Sequence, residues 1–301
     1  MPFFLPMIEL RDVSFSYPSR PESPRLVLEA IQLKIPQGSY VAVMGPNGSG
    51  KSTLGKLIKG LLSPATGEVL IGGTPLKPGE ISARVGYIFS NPENQIISSV
   101  VEEDVAFGLE NLELEPADIV RKVQQSLAWV GMEEYRYHAP HLLSGGQQQK
   151  VVLAGILAMG GEILVLDEPT SMLDLQDRRE IMDLLNKFHS QGNKTILHIT
   201  HSLEEALRAR DLVLLDRGRI QFSDSVAEFL ARERWMEDYG LSLPPLQQLI
   251  RDLRAHGYAI PLETTSIPEL KSFLLRLKKG DSVIPPFPMG PGIPDRGIPI
   301  S

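Results

Sequence analysis

The stretch YVAVMGPNGSGKSTLGKLIKGLL, residues 40–62, leaves this chain little choice of fold. Its opening apolar residues read as a strand buried on both faces, and its closing residues repeat apolar positions at helical spacing. Between them Gly45, Gly48 and Gly50 let the backbone curl so that successive amides converge on one point, to which the following helix adds its positive end. Strand, glycine loop and helix in that order form a cradle for phosphate oxygens. Pro46, Asn47, Ser49 and Thr53 complete the loop, Lys51 is placed to neutralise the β- and γ-phosphates of a nucleotide, and Ser52 to offer a hydroxyl to Mg²⁺.

Some 120 residues on, the apolar run ILVL leads into Asp167 and Glu168. A carboxylate at a strand end beside a phosphate loop can hold Mg²⁺ through water, and the next can polarise an attacking water, so Asp167 is assigned to the metal and Glu168 to the general base. LSGGQ at 143–147 lies between the two motifs; Ser144 and the amides of Gly145 and Gly146, with Gln147, are expected to donate to a γ-phosphate where a helix begins. His201 follows the apolar strand TILHIT and is read as the imidazole that contacts the γ-phosphate and orients the water. Asp174 is expected at a subunit interface near the phosphate, and Tyr17 to stack on adenine.

Around these motifs the chain alternates strands and helices. MIELRDVSFS (7–16) and LEAIQLKI (28–35) alternate apolar and polar residues as half-buried strands do, whereas residues 92–150 show helical spacing in VEEDVAFGLENL and DIVRKVQQSLAWVGM. Apolar strands at 163–167, 195–200 and 212–215 separated by helices imply a parallel sheet covered on both faces. The acidic cluster 101–111 reads as a solvated helix face. Past Arg232 the pattern changes to two short amphipathic helices, and residues 281–301, with six prolines and three glycines, read as an extended or disordered tail. The expected division is 1–232, 233–280 and 281–301.

Composition narrows the function. A net charge of −7 offers no basic field for nucleic acid, and the absence of cysteine excludes disulfides and thiolate metal sites. The longest apolar run, VVLAGILAM at 151–159, is about half the roughly 20 residues a membrane span requires. MPFFLPMIEL carries no positively charged leader, so the chain is expected in the cytoplasm. His138, His141, His189, His198 and His256 show no metal-ligand spacing and are read as structural.

With these residues in view the chain resembles ABC-transporter ATPase subunits over residues 7–220. More narrowly it resembles the ATPase of energy-coupling factor (ECF) transporters, including cobalt and nickel importers, through SNPENQIISSVVEEDVAFGLENL at 90–112 and the C-terminal segment with LPP and a following helix. The resemblance implies an α/β, P-loop ABC-type nucleotide-binding domain with a parallel core sheet, an antiparallel β subdomain and a helical subdomain, followed by a small, mainly helical dimerisation domain. It further implies two ATPase subunits, the same or paralogous, clamping two ATP molecules between the GPNGSGKST of one and the LSGGQ of the other. A transmembrane scaffold docked near 90–112 and a substrate-binding membrane subunit would complete an importer of a vitamin or transition-metal ion, with this chain peripheral on the cytoplasmic face.

One position departs from the resembled family, which usually has glutamine before Asn-Pro to contact Mg²⁺ and the lytic water; here it is Ser90. Serine keeps an oxygen ligand but reaches roughly two bonds less far, so a bridging water is expected. Gln95, five residues on, is expected to face the partner. Three readings compete: a conventional ABC importer or exporter, a soluble nucleic-acid or translation factor, and a regulatory switch that barely hydrolyses. A single motif set, a short insertion and acidic charge weigh against the second, and the retention of Glu168 against the third.

Overall fold

Alternating burial builds the first sheet. In the computed structural model, which describes residues 6–18, 26–192, 194–232, 235, 238, 239, 241–262, 264 and 266–278, β1 (Pro6–Phe15) pairs antiparallel with β2 (Leu28–Pro36) and with β4 (Thr66–Ile71). β4 pairs in turn with the short β5 (Thr74–Pro75). Every second residue of β2 from Ile31 to Ile35 is buried, as a strand with one face on the core and one on water requires.

Continuous burial builds the second. β3 (Tyr40–Met44), β7 (Ile163–Asp167) and β8 (Thr195–Ile199) are buried at every position because both faces are covered. With β6 (Val85–Ile88), β9 (Asp211–Asp216) and β10 (Arg219–Ser225) they form a six-stranded sheet in the order β10-β9-β3-β8-β7-β6. All neighbours are parallel except β9 and β10. β4, β5, β6 and β10 are strands that the alternation argument did not single out.

α1 (Lys51–Lys59) leaves β3 through the glycine loop and ends at Gly60, whose φ of 86° closes it in the left-handed conformation. Its Leu54, Leu57 and Ile58 share one core with Val41, Val43, Val165, Leu197 and Ile199 of the parallel sheet and Ile8, Leu10 and Ile31 of the antiparallel one. Each such fully buried aliphatic contributes about 1.5–3 kcal/mol. The helix that bears the phosphate loop thus shares one core with both sheets.

The segment after β6 is helical, as its spacing predicts: α2 (Val101–Glu110) buries Val101, Val105 and Leu109, and α3 (Pro116–Val130) buries Val123, Leu127 and Val130. The acidic residues of α2 do more than face water. Glu102 pairs with Arg136 at 2.6 Å, and Asp104 Oδ1 accepts the amides of Ile97 (2.8 Å) and Ser98 (3.0 Å), which fixes the chain entering the helix. α4 (Gly145–Met159), α5 (Leu175–Gly192), α6 (Leu203–Ala206) and α7 (Val226–Leu230) complete this unit.

The chain divides into two compact units between Leu241 and Ser242. That is later than the pattern break at Arg232, because the Trp235 ring packs edge-on against Phe222 at 5.2 Å and Phe229 at 6.0 Å and keeps its segment with the first unit. The second unit contains α8 (Pro245–Ala255) and α9 (Ile267–Lys278) around a small core of Ile250, Ile260 and Leu270. Gln247 Nε2 donates to the Thr264 carbonyl at 3.1 Å across it. The expected tail, 281–301, lies outside the described residues. Among the described residues no helix is long and apolar enough to cross a membrane.

Candidate active site

The motifs meet at the carboxyl ends of three neighbouring parallel strands, where open α/β sheets place ligands. The glycine loop follows β3, Asp167 ends β7, and His201 lies two residues past β8, the strand between them.

Gly45, Gly48 and Gly50 have φ of 147°, 77° and 105°, so the loop uses backbone conformations closed to other side chains. At Gly45 a Cβ would also overlap the Leu215 carbonyl oxygen of β9. Pro46, Asn47 and Gly48 are exposed at the loop's crown while Ser49 is buried. α1 begins at Gly50 without a side-chain cap, so its first-turn amides are left for an anion. Lys51 folds back over the loop, its Nζ donating to the carbonyls of Gly45 (2.9 Å) and Pro46 (3.0 Å). Burial pushes the Lys51 ammonium below its ordinary pKa, while Glu168 and Asp167 pull the other way.

Both oxygens of Asp167 are held. Ser52 Oγ donates to Oδ1 at 2.9 Å, and the Tyr87 hydroxyl, on the neighbouring strand β6, donates to Oδ2 at 2.8 Å. Burial, then the Asp167 charge, raises the Tyr87 phenol well above its ordinary pKa, so it remains a donor. Among the described residues no group of three His, Cys, Asp or Glu is arranged to hold a metal alone. The donors that adjoin, a hydroxyl and a carboxylate, are the hard oxygens suited to Mg²⁺ when nucleotide phosphates supply the remaining ligands.

Glu168 has a φ of 52°, a left-handed conformation rare for a residue with a side chain, and such strain concentrates where function demands an orientation. Its amide donates to the Ile199 carbonyl at the end of β8 (2.9 Å), and its carbonyl accepts the Ser171 hydroxyl (3.0 Å). Its carboxylate Oε2 lies 3.4 Å from His201 Nδ1, and the imidazole is largely open to solvent. Tyr17 sets its ring edge-on to Phe15 at 4.9 Å and shares a hydrogen bond with Thr53 Oγ1 at 3.2 Å, and the residue is 41% exposed.

The LSGGQ motif stands on another element. Ser144 is the N-cap of α4: its Oγ accepts the Gln147 amide (3.2 Å) while Gln147 Oε1 accepts the Ser144 amide (2.9 Å), a reciprocal capping box. The Gln147 carbonyl is therefore occupied within the motif, whereas the Gly145 and Gly146 amides open the helix. Gly146 sits against Asp177 of α5, whose carboxyl group a Cβ would strike. Asp174 Oδ1 caps α5 by accepting the amides of Gln176 (2.9 Å) and Asp177 (2.8 Å). Among the described residues no hydrogen bond or ion pair joins Ser144, Gln147 or Asp174 to Lys51, Ser52, Asp167 or Glu168.

Ser90 is half-buried two residues past β6. Gln95 corrects an expectation: its side chain does not face outward to a partner but turns back onto β6, accepting the Phe89 amide at 3.1 Å and donating to the Tyr87 carbonyl at 3.0 Å. Tyr87, Gln95 and the buried Glu205 were not legible as parts of the site. Only the pairing of β6 with β7 brings Tyr87 beside Asp167.

A phosphate loop, a carboxylate pair and a histidine on three adjacent strand ends, with a helical arm carrying SGGQ apart from them, make this chain an ATP-binding cassette ATPase. The ABC transporter family profile matches residues 28–171. The energy-coupling factor transporter ATP-binding protein EcfA1 of Clostridium novyi (strain NT) is 39% identical over 276 residues, covering 90% of this chain and 99% of that protein. Among solved structures, cbiO1 from Clostridium perfringens, described as part of the ABC transporter complex cbiONQ, superposes with a TM-score of 0.70 at 29% identity, over 82% of this chain and 99% of that one. The dimeric ATP-binding cassette MJ0796 in a post-hydrolysis state with ADP and Pi gives a TM-score of 0.65 at 28% identity, over 73% and 99%. The chain belongs to the family of energy-coupling factor transporter ATP-binding proteins, and its activity is ATP hydrolysis coupled to membrane transport.

Proposed function

We propose that this chain pairs with a second ATPase subunit, identical or paralogous, and that the pair closes on two ATP molecules to drive an importer of a vitamin or a transition-metal ion. The loop 45–53 holds the phosphates, with Lys51 leaving the Gly45 and Pro46 carbonyls to meet the β- and γ-phosphates. Ser144 and the amides of Gly145 and Gly146 approach the same γ-phosphate from the other subunit, while Gln147 keeps the cap rigid and Asp174 orders the interface loop. Tyr17 stacks on adenine. The observation that supports the two-subunit reading most is the one just described: among the described residues no hydrogen bond or ion pair links Ser144 or Gln147, at the start of α4, to Lys51, Ser52, Asp167 or Glu168 of its own chain.

Ser52 and Asp167, with Ser90 through a bridging water, would hold Mg²⁺. Bound with the nucleotide, it supplies neutralisation of the charge on the β- and γ-phosphoryl oxygens. Glu168 accepts the proton of the attacking water. His201, with Nδ1 turned to that carboxylate, has Nε2 available for a γ-phosphate oxygen and so aligns water, base and phosphorus. Closure and reopening move a transmembrane scaffold that works with a substrate-binding membrane subunit, and this chain sits peripherally on the cytoplasmic face. Its net charge of −7 supplies no overall basic field to attract nucleic acid.

The test is recovery of the tagged chain from gently solubilised membranes of its native cell. A polytopic scaffold and a small substrate-binding membrane subunit should come with it. Recovery with ribosomes, with DNA or alone would overturn the importer reading and leave the ATPase.

A further inference from the structure

Behind the base and the histidine lies a buried polar cluster that the mechanism above does not use. At its centre is Glu205 of α6, a carboxylate residue only 5% exposed. Its Oε1 accepts the Thr170 hydroxyl at 2.5 Å and its Oε2 the Thr200 hydroxyl at 2.7 Å. Arg178 Nε lies 3.6 Å from Oε1, and His198 Nε2 lies 3.4 Å from Oε2. His198, wholly buried in β8, is held from its other side by the Tyr40 hydroxyl at 3.1 Å.

The two threonines give the cluster its meaning. Thr170 is two residues past Glu168 and Thr200 immediately precedes His201, and each is 2% exposed. Thr170 also accepts the Leu173 amide through its carbonyl at 3.1 Å, at the turn that leads to Asp174. Thr200 Oγ1 accepts the Ser202 amide at 3.0 Å. One carboxylate therefore grips, by one oxygen each, the loop that presents the base and the loop that presents the histidine. A buried carboxylate is costly unless charged or hydrogen-bonding groups surround it, and here four such groups come from three separate stretches of chain.

We propose that Glu205 is a positioning residue for hydrolysis: by bridging Thr170 and Thr200 it sets the distance and orientation between Glu168 and His201, without touching nucleotide itself. The inference rests on the reading of Glu168 as base and His201 as its companion. A displacement of an ångström between groups that act on one water is felt chiefly in turnover, while the phosphate loop, which lies on other elements, goes on binding ATP.

The experiment uses the full chain purified in its native complex, with steady-state turnover and ATP affinity measured on the same preparations. Glu205→Gln and Thr170→Val should each lower kcat about tenfold or more with the ATP Kd within about twofold of the parent, and Thr170→Ser, which keeps the hydroxyl, should restore turnover. In the double variant Glu205→Gln/Thr170→Val the losses should not add, since both break one bridge. Should Glu205→Gln fail to fold, the Thr170 pair carries the test, being nearly isosteric. Unchanged kcat in a folded Glu205→Gln, or equal turnover for Thr170→Val and Thr170→Ser, overturns the inference. So does a loss of turnover matched by an equal loss of ATP binding. Glu168→Gln in parallel separates the two readings: full turnover there overturns the base assignment and this inference with it, whereas lost turnover there beside unchanged Glu205→Gln overturns this inference alone.

Discussion

Tyr87 donates its hydroxyl to Asp167 Oδ2 at 2.8 Å, from a strand whose own backbone is gripped two residues further on. The acceptor is a buried side chain, so deleting the donor leaves a buried acceptor oxygen without this partner. Tyr87→Phe is expected to lower stability by about 1–3 kcal/mol, read by urea unfolding, and to raise the Mg²⁺ concentration needed for half-maximal turnover. An unchanged Mg²⁺ requirement would restrict Tyr87 to a packing role.

Lys51 lies on the Gly45 and Pro46 carbonyls, and in the proposed mechanism it exchanges them for phosphate oxygens. Lys51→Met, of similar length and without charge, should weaken ATP binding about 10- to 100-fold, the worth of a charge-assisted hydrogen bond, and abolish turnover. Titration with a fluorescent ATP analogue decides it; parent-like affinity would remove Lys51 from phosphate recognition.

Ser90 stands where the resemblance to the energy-coupling factor ATPases implies glutamine. Ser90→Gln, which reaches roughly two bonds further and needs no bridging water, should turn over faster than the parent in a matched complex. Equal or slower hydrolysis would sink the idea that serine is the slower residue.

Glu205 also predicts a pH dependence of stability. Burial pushes its carboxyl up, but His198 and then the Thr170 and Thr200 hydroxyls more than offset this, and it titrates at about 2 instead of 4.5. A group whose folded pKa is depressed contributes stability that is present above its unfolded pKa and lost as pH falls through the folded one. The unfolding free energies of the parent and Glu205→Gln should therefore converge as pH falls from 4.5 toward about 2. Parallel curves across that window would contradict it.

Among its described residues the second unit has a core of three buried aliphatics, Ile250, Ile260 and Leu270. Ile260→Ala should cost about 2–5 kcal/mol and open that unit locally. Amide hydrogen exchange should show lost protection in α8 and α9 with the ATP site unaffected, and sedimentation should show weaker association of the two ATPases if residues 233–280 serve dimerisation. Unaltered association would remove that role.

The phosphate loop was legible because glycines at fixed spacing between an apolar strand and a helical pattern have one low-energy use, and β3 and α1 formed accordingly. Asp167, Glu168 and His201 were legible for a similar reason: each ends or follows an uninterrupted apolar strand. Tyr87 and Glu205 were not, because Asp167 lies 80 residues from Tyr87 and Thr170 lies 35 from Glu205, each pair brought close only by strand pairing or helix placement. Local pattern fixes which side chains reach a strand's end; register decides which others meet them there. The same limit explains Gln95, whose surroundings gave no hint that it would fold back on its own strand. β6 escaped for a different reason, being four residues long with a glycine inside.

That fold-back has a further consequence. β6 is a margin of the six-stranded sheet, and a bare margin recruits foreign chains. By accepting the Phe89 amide and donating to the Tyr87 carbonyl, the Gln95 amide imitates a passing peptide group and serves as a seventh strand one residue long. Occupying that margin leaves its Tyr87 carbonyl and Phe89 amide nothing to offer a foreign strand, so loss of Gln95 would surface first as aggregation during expression.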